Sequence, residues 1–132
     1  MPFKVEWRGD FANSELEELH AEGFGHPPLD TADWEATVTA HSLGWVCARD
    51  ETGLIGFVNV AWDGALHAFI LDTVVAERAR RQGVGTRLAE VATDRARDAG
   101  CEWLHVDFEE ELGAFYFDAC RFSPTPAGLI RL

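Results

Sequence analysis

Polar and apolar residues alternate at the start of the chain, which is the pattern of a half-buried β-strand. Residues 3–8 read Phe-Lys-Val-Glu-Trp-Arg, with an apolar side chain at every second position. Three longer apolar stretches follow at 44–49, 54–62 and 65–75. The turn 50–53 separates the first two, and Asp63-Gly64, typical of a two-residue hairpin, separates the last two. The pattern therefore predicts an antiparallel meander of three strands.

Two stretches between the first strand and the meander predict helices. The first begins at Ser14–Glu17, which has the S-x-x-E spacing of a capping box. Its apolar side includes His20, and Gly23 is expected to end it. The second helix follows a pair of prolines that excludes helical structure, and we expect Asp30 or Thr31 to cap it.

The second half of the chain reads as helix, strand, short helix and strand. Helical periodicity resumes after residue 85 and ends at Gly100, and the later elements are expected at 103–108, 112–120 and 129–132. A strand–helix–strand unit implies a right-handed crossover, so the strand at 103–108 should run parallel to 65–75. The order β-α-α-β-β-β-α-β-α-β predicts one mixed α/β domain over 1–132, with a mostly antiparallel sheet and one parallel pair.

Charge narrows the classes of function. The chain carries a formal charge of −12, from 23 acidic and 11 basic residues. Nucleic-acid binding needs a basic surface, so we expect no nucleic-acid partner. No apolar run approaches the length of about 18 residues that a membrane-spanning helix needs, and the start of the chain lacks the apolar core of a secretion signal. We therefore expect a cytoplasmic protein without membrane association.

Cysteine spacing argues against a metal site. Cys47, Cys101 and Cys120 lie far apart, and the chain has no C-x-x-C motif. Zinc sites and redox motifs use closely spaced pairs, so we expect neither. All three cysteines lie beside apolar residues and are predicted to be buried free thiols. Trp103 is predicted to belong to the core.

The clearest chemical signal is a basic turn at 78–87, which reads R-A-R-R-Q-G-V-G-T-R and contains no acid. Gly83 and Gly85 are expected to leave the backbone uncovered, and free N–H groups at a helix start form an anion site. The stretch lacks the lysine of a P-loop, and Leu88 stands where a dinucleotide fingerprint has its last glycine. The turn is thus either a phosphate site or a solvated surface turn.

Arg80-Arg81-Gln82-Gly83-Val84-Gly85 resembles the R/Q-x-x-G-x-G/A signature of the GNAT acyltransferases, and the order of elements matches that fold over nearly the whole chain. The resemblance implies an N-acetyltransferase that moves an acetyl group from acetyl-CoA directly to a primary amine. It also implies a backbone site for the coenzyme. Its pantetheine arm would pair with Thr73, Val74 and Val75, and its pyrophosphate would bind Gln82, Gly83, Val84, Gly85 and Thr86. Arg80 and Arg81 would add charge, with Arg78 and Arg87 as a solvated flank.

The same resemblance suggests the catalytic groups. GNAT enzymes often use a carboxylate near the fourth strand as a base, and Asp72 is the only acid in 69–75. The alternative is that Asp72 faces solvent or pairs with an arginine. The family places a tyrosine acid in the last helix, where this chain has Phe117, so Tyr116 one residue earlier is the predicted acid. The chain also has three glutamates at 109–111 where the family often has an asparagine.

Four residues are predicted to contact the acceptor. In the GNAT arrangement the first two helices and their loop lie over the acceptor site, so His26 and Trp34 would line it. Trp34 in the core and His26 at the surface is the alternative. His105 and Asp107 share one face of their strand by alternation and can each act as a base or as a ligand for the acceptor.

Two other functions fit the same observations. Only ten residues follow Phe122, so the second of the two strands that typically end the family's fold is missing, fused or supplied by a partner subunit. The chain could therefore be a weakly catalytic acyl-CoA sensor or interaction module, and an open sheet edge could support a homodimer. Without nucleotide binding, the basic turn would be a docking patch for an acidic protein.

Overall fold

The computed structural model describes residues 2–132, and it places five strands in one sheet in chain order. The strands are β1 (Lys4–Trp7), β2 (Ser42–Asp50), β3 (Gly53–Trp62), β4 (His67–Val75) and β5 (Trp103–His105). Neighbours from β1 to β4 pair antiparallel, and β4 and β5 pair in parallel. The predicted mixed α/β class with one parallel pair is thus confirmed.

Three helices cover the two faces of the sheet. They are α1 (Asn13–Phe24), α2 (Trp34–His41) and α3 (Val84–Asp98). Phe57 of β3 meets Trp34 of α2 with ring centroids 6.3 Å apart, whereas a Cβ on the adjacent Gly56 would lie 2.9 Å from Val84 of α3. Successive side chains of a strand point to opposite faces, so α2 and α3 lie on opposite sides of the sheet. None of the helices within residues 2–132 is long and apolar enough to span a membrane.

The core fills both spaces between sheet and helices. Its largest fully buried side chains are Phe57, Leu16, Ile55, Leu88, Val38 and Val46. In the central strand β3, all residues from 54 to 60 are buried. Burial on both faces explains why this stretch is apolar apart from Asn59, instead of alternating, and the Asn59 side-chain oxygen accepts a hydrogen bond from the Ser42 hydroxyl.

The first helix differs from the prediction at both ends. It begins at Asn13, and Glu15 is the residue that reaches back to the Ala12 N–H, at 3.5 Å. The helix continues through Gly23 because this glycine allows close packing on β4. A Cβ there would lie 2.3 Å from Val74 Cγ2. Gly25, with a left-handed φ of 71°, follows the last helical residue and ends the helix.

Two other boundaries are set by aspartate side chains. Asp33, and neither Asp30 nor Thr31, caps α2, where its carboxylate accepts the Ala36 N–H at 3.1 Å. Asp63 widens the predicted two-residue hairpin into a loop over 63–66. Its carboxylate accepts the N–H groups of residues 65 and 67 at 2.7 and 3.1 Å.

The C-terminal part departs most from the prediction. β5 has only three residues, and a π-helix at Ala114–Ala119 replaces most of the expected α-helix at 112–120. The expected last strand does not form, and Leu129, Ile130 and Leu132 are exposed. Pro124 and Pro126 contribute no N–H donors to this segment, which disfavours a paired strand.

Glu17 fixes the loop between α1 and α2. Its side chain is buried and does not form the predicted capping box, in which Glu15 takes its place. The Glu17 carboxylate accepts the Leu29 N–H and the Trp34 indole N–H, each at 2.9 Å. These two hydrogen bonds hold the pKa of Glu17 below its ordinary value of 4.5, and the bond from Leu29 has the larger effect. The ionised carboxylate therefore stabilises the folded state at neutral pH.

We expect Glu17→Gln to lower the free energy of unfolding by about 1–3 kcal/mol at pH 7, because an amide cannot accept both donors as a carboxylate does. Since the folded-state pKa is depressed, this stabilisation is present above pH 4.5 and is lost as the pH falls through the folded-state value. Urea titrations at several pH values measure both effects. Glu18→Gln, an exposed neighbour, is the matched control. Equal losses in the two variants would contradict this role.

Candidate functional site

The basic turn joins β4 to α3 through backbone with unusual conformations. Arg81 and Gly83 have left-handed φ values of 66° and 81°. The first hydrogen bond of α3 runs from the Arg87 N–H to the Gly83 carbonyl at 3.0 Å. Within the described chain, the amides of residues 81–86 have no hydrogen-bond acceptor. Six successive N–H groups are therefore available at a helix N-terminus, the arrangement that attracts an anion.

Two of the four arginines of the turn contact carboxylates, and the other two do not. Arg78 contacts Asp50 at 2.9 Å, and Arg87 contacts Glu90 at 3.3 Å. Arg80 and Arg81 have no carboxylate within 4.0 Å among residues 2–132, and both are exposed. The two arginines expected to contact phosphate are thus the two whose charge is not already paired.

The two glycines of the turn have different roles. Gly83 adopts its left-handed conformation in open space, with no atom within 4 Å of the point that a Cβ would occupy. Gly85 is packed on the side where a Cβ would stand, although its N–H has no hydrogen-bond acceptor among the described residues. A Cβ there would lie 3.0 Å from the ring of Phe115 and 3.6 Å from Val75. Gly85 therefore lets the π-helix pack against the start of α3.

A β-bulge interrupts β4 near the turn. Val74 pairs with Phe57, but Leu71 pairs with Asn59, so Asp72 and Thr73 share the space opposite one residue of β3. Asp72 has a left-handed φ of 57°. Such conformations cost energy and are concentrated at functional sites.

The parallel pair ends before this bulge. β5 pairs only with residues 67–69 of β4, so the later part of β4 has no strand on its outer side. Thr73, Val74 and Val75, the residues expected to pair with pantetheine, lie in this unpaired part. The structure therefore opens a cleft at the end of β4, directly before the basic turn.

Asp72 belongs to a chain of side-chain contacts with two histidines. Its carboxylate lies 3.1 Å from His20 Nε2, and His20 Nδ1 lies 2.7 Å from His26 Nε2. His26 Nδ1 lies 2.9 Å from the Pro27 carbonyl oxygen. The His20 ring also lies 4.8 Å from Trp34. Three predicted residues, Asp72, His26 and Trp34, are therefore brought together around His20.

His20 was missed because the sequence places it on the apolar side of α1. That position is correct, since its side chain is only 16% exposed. An imidazole on an otherwise apolar helix face, facing a strand that contains one aspartate, is the signal that could have identified it. Asp72 does not pair with an arginine, which was the alternative considered for it.

The three contacts from Asp72 through the two histidines to Pro27 are all hydrogen bonds in only one charge state of the rings. The Asp72 carboxylate and the Pro27 carbonyl can only accept, and the contact between the rings needs one hydrogen. Three contacts thus require three protons on the two rings, so that one imidazole is cationic. With two ring protons, one of the three contacts lacks a donor. The histidine pair can therefore take up one proton beside Asp72 and gain a hydrogen bond.

Tyr116 lies across the bulge from this histidine pair. It is 5% exposed and stacks on Phe108 with ring centroids 4.5 Å apart. Burial raises the pKa of Tyr116, and a hydrogen bond with the Thr73 side chain partly opposes that rise. Phe117, at the position where the family has its tyrosine, is 37% exposed. Because a π-helix has a wider turn than an α-helix, it changes which residues of this segment face the sheet. π-Helices often occur at functional sites.

The other two predicted acceptor residues lie apart from the histidine pair at the bulge. His105 Nε2 lies 2.8 Å from His67 Nδ1, and the His105 ring stacks on Phe69 at 4.7 Å. Asp107 lies beyond the end of β5 and is exposed, so the two do not share a strand face as predicted. Asp107 contributes slightly to the raised pKa of Tyr116, which places its charge near the cleft.

The model of the acetyltransferase (GNAT) family matches residues 10–117 of the 132. This chain belongs to the GNAT acetyltransferase family. GNAT enzymes are N-acetyltransferases that use acetyl-CoA, so the predicted enzyme class and cosubstrate are confirmed for the family of this chain. Among curated protein sequences, none matches it.

Solved structures share the GNAT fold with this chain. A GNAT acetyltransferase from Streptococcus pneumoniae is 18% identical, with a TM-score of 0.79 and coverage of 99% of this chain and 98% of that one. Glucosamine-6-phosphate N-acetyltransferase from Arabidopsis thaliana is also 18% identical, with a TM-score of 0.79 and coverage of 100% and 99%. AAC(6')-Iy, solved with the bisubstrate analog CoA-S-monomethyl-acetylneamine, is 16% identical, with a TM-score of 0.72 and coverage of 100% and 98%.

The conformation of Gly83 leads to a test of the turn. We expect Gly83→Ala to lower the free energy of unfolding by about 1–2 kcal/mol, because a Cβ disfavours the left-handed region although space is available. Gly83→Asn should cost less, since asparagine tolerates this conformation, and Gly128→Ala in the exposed tail should have no effect. Urea denaturation measures all three. A larger loss for asparagine than for alanine would show that space, and not backbone conformation, decides.

Proposed function

We propose that this protein transfers an acetyl group from acetyl-CoA directly to a primary amine at the cleft beside the β4 bulge. One observation carries the proposal. The adjacent residues Asp72 and Thr73 contact the histidine pair and the Tyr116 phenol, respectively. A proton acceptor and a proton donor are thus held on either side of one short stretch of backbone. Amine acetylation needs both groups, because the amine loses a proton and the leaving sulfur gains one.

Coenzyme binding would use the backbone described above. The pyrophosphate would accept hydrogen bonds from the amides of residues 81–86, with Arg80 and Arg81 adding positive charge. The pantetheine arm would lie along the unpaired outer side of β4 at 73–75. The path from the turn to the bulge would then bring the thioester beside Asp72 and Tyr116.

Asp72 and His20 would take the proton of the attacking amine. The amine nitrogen forms a bond to the thioester carbon, and the proton it loses passes to Asp72 and onward to the pair of rings. When His20 and His26 together take up a third ring proton, all three contacts between Asp72, the two rings and the Pro27 carbonyl become hydrogen bonds. Because His26 is 34% exposed, this route leads from the cleft toward solvent.

Tyr116 would act on the leaving group. When the carbon–sulfur bond breaks, the coenzyme thiolate takes the phenolic proton. The raised pKa keeps this phenol protonated at neutral pH, so it is ready to donate. No cysteine is suited to carry an acetyl intermediate. Burial raises the pKa of Cys47 to about 12, that of Cys120 to about 11, and also that of Cys101, so all three stay as unreactive thiols.

A catalytically weak acyl-CoA sensor on the same fold is the second candidate. The short β5 and the irregular tail favour it, because the outer edge of the sheet is not completed by this chain. The same open edge supports the prediction of a homodimer. Dimerisation and a cytoplasmic location stay predictions.

An acetylation assay with acetyl-CoA and a panel of primary amines tests the proposal. We expect Asp72→Asn to lower kcat by about 10²–10⁴-fold, because the amine then has no charged proton acceptor. Tyr116→Phe should lower kcat and remove the loss of rate that the wild type shows as the pH rises through the tyrosine pKa. Phe117→Tyr is the matched control for aromatic substitution in the π-helix.

Binding of acetyl-CoA without acetylation of any amine would favour the sensor. Full activity in Asp72→Asn, or an effect of Phe117→Tyr as large as that of Tyr116→Phe, would contradict the assigned roles.

A further inference from the structure

An apolar and aromatic strip extends from Asp72 along the sheet surface and is exposed in this protein. It consists of Leu71, Phe69 and His67 on β4 and of His105 and Trp103 on β5. Leu71 is 40% exposed, Phe69 37% and Trp103 64%. Trp103 was predicted to be core, so its exposure is a clear departure from the sequence interpretation.

The strip lies on the face of the sheet that carries α1 and α2. Leu71 pairs with Asn59 and Phe69 pairs with Ala61, and these two residues of β3 alternate with Gly56, Val58 and Val60 on the α3 side. Parallel pairing of Phe69 with His105 and of His67 with Trp103 continues the same face onto β5. The strip therefore begins at Leu71, beside the proposed proton acceptor, and extends about 13 Å to His67, at about 3.3 Å per residue.

Contacts within the strip make it an organised surface. His105 stacks on Phe69 with the rings inclined by only 19°, and the imidazoles of His67 and His105 are 2.8 Å apart. The rings of His67, Phe69 and His105 are thus held in place by one another. A rigid aromatic surface of this kind binds a flat or branched apolar group with little loss of side-chain freedom.

The distribution of charged residues around the cleft favours a cationic acceptor. Residues 9–48, 50–77 and 98–120, which form α1, α2, most of the sheet and the π-helix, contain no lysine or arginine. They hold most of the acidic residues, including Asp72 and Asp107 at the cleft. An acceptor carrying a phosphate would find no lysine or arginine in these segments, whereas a protonated amine is attracted to their carboxylates.

From these observations we infer that the acceptor is a small primary amine with an aromatic or alkyl body, of the arylalkylamine type. Its ammonium group would lie at Asp72, and its apolar body would cover Leu71, Phe69 and the edge of His105. This assignment of the acceptor class depends on the proposed acetyl transfer. It predicts selection against phosphorylated amino sugars and against amines without an apolar body.

Steady-state kinetics with saturating acetyl-CoA tests the inference. We expect kcat/KM for 2-phenylethylamine to exceed that for ethylamine by about tenfold or more, since contacts in an apolar site are worth about 10–200-fold. Glucosamine 6-phosphate should be a poorer acceptor than either. Phe69→Ser should raise KM for 2-phenylethylamine and reduce its advantage over ethylamine. Leu129→Ser, which also removes an exposed apolar side chain but lies in the tail, should change neither value.

A binding measurement separates failure of this inference from failure of the proposed reaction. Titration of 2-phenylethylamine into the protein with coenzyme A should give a saturable change in tryptophan fluorescence, because Trp103 lies in the strip. Phe69→Ser should weaken that binding about tenfold or more, with His105→Ser as a second variant should Phe69→Ser not fold. Saturable binding without turnover would reject the reaction and keep the acceptor class. Equal use of ethylamine and 2-phenylethylamine, preference for glucosamine 6-phosphate, or no saturable binding would overturn the inference.

Discussion

The bulge in β4 is the constraint on which the site depends. A regular strand would send the side chains of residues 72 and 73 to opposite faces in fixed register with β3. The extra residue at this point and the left-handed φ of Asp72 change that register. As a result, Asp72 reaches His20 on α1 while Thr73 reaches Tyr116 on the π-helix. Two elements far apart in sequence therefore meet at one point of the backbone.

The early end of β5 complements the bulge. Because β5 leaves β4 after residue 69, the backbone of β4 beyond that point has an outer side without a paired strand. The strip from Leu71 to His67 lies on the adjoining face of the sheet and is also exposed. The unpaired edge thus provides a place for an extended ligand near the basic turn, and the exposed face provides a surface for a second ligand beside Asp72.

The distribution of charge follows this geometry. Arg80 and Arg81 concentrate unpaired positive charge at the start of α3, while the segments around the acceptor side contain no lysine or arginine. An anionic coenzyme and a cationic acceptor would therefore approach from differently charged sides of the same protein. The net charge of −12 would not by itself reveal this separation.

Much of the fold could be predicted because its signals are local. Alternation identified the first strand, apolar stretches between short turns identified the meander, and the basic turn stood out from an acidic chain. The functional contacts of His20 and Glu17 could not be predicted, because both depend on which residues from distant segments pack against α1.

The π-helix and the irregular tail were missed for a related reason. Apolar periodicity does not distinguish an α-turn from a π-turn, and a short apolar segment such as 129–132 becomes a strand only when it finds a paired neighbour. The site residues themselves were largely named from the resemblance to the GNAT family, and their spatial grouping came from the structure.

Calorimetric titration of acetyl-CoA into the wild type and into an Arg80→Ala, Arg81→Ala double variant would show whether the basic turn binds the coenzyme. We expect saturable binding to the wild type, weakened by about tenfold or more for each arginine removed. Arg87→Ala, which removes a charge already paired with Glu90, should have a much smaller effect. Absence of binding to the folded wild type, or equal losses in all variants, would contradict the assignment of the basic turn as the site of the coenzyme pyrophosphate.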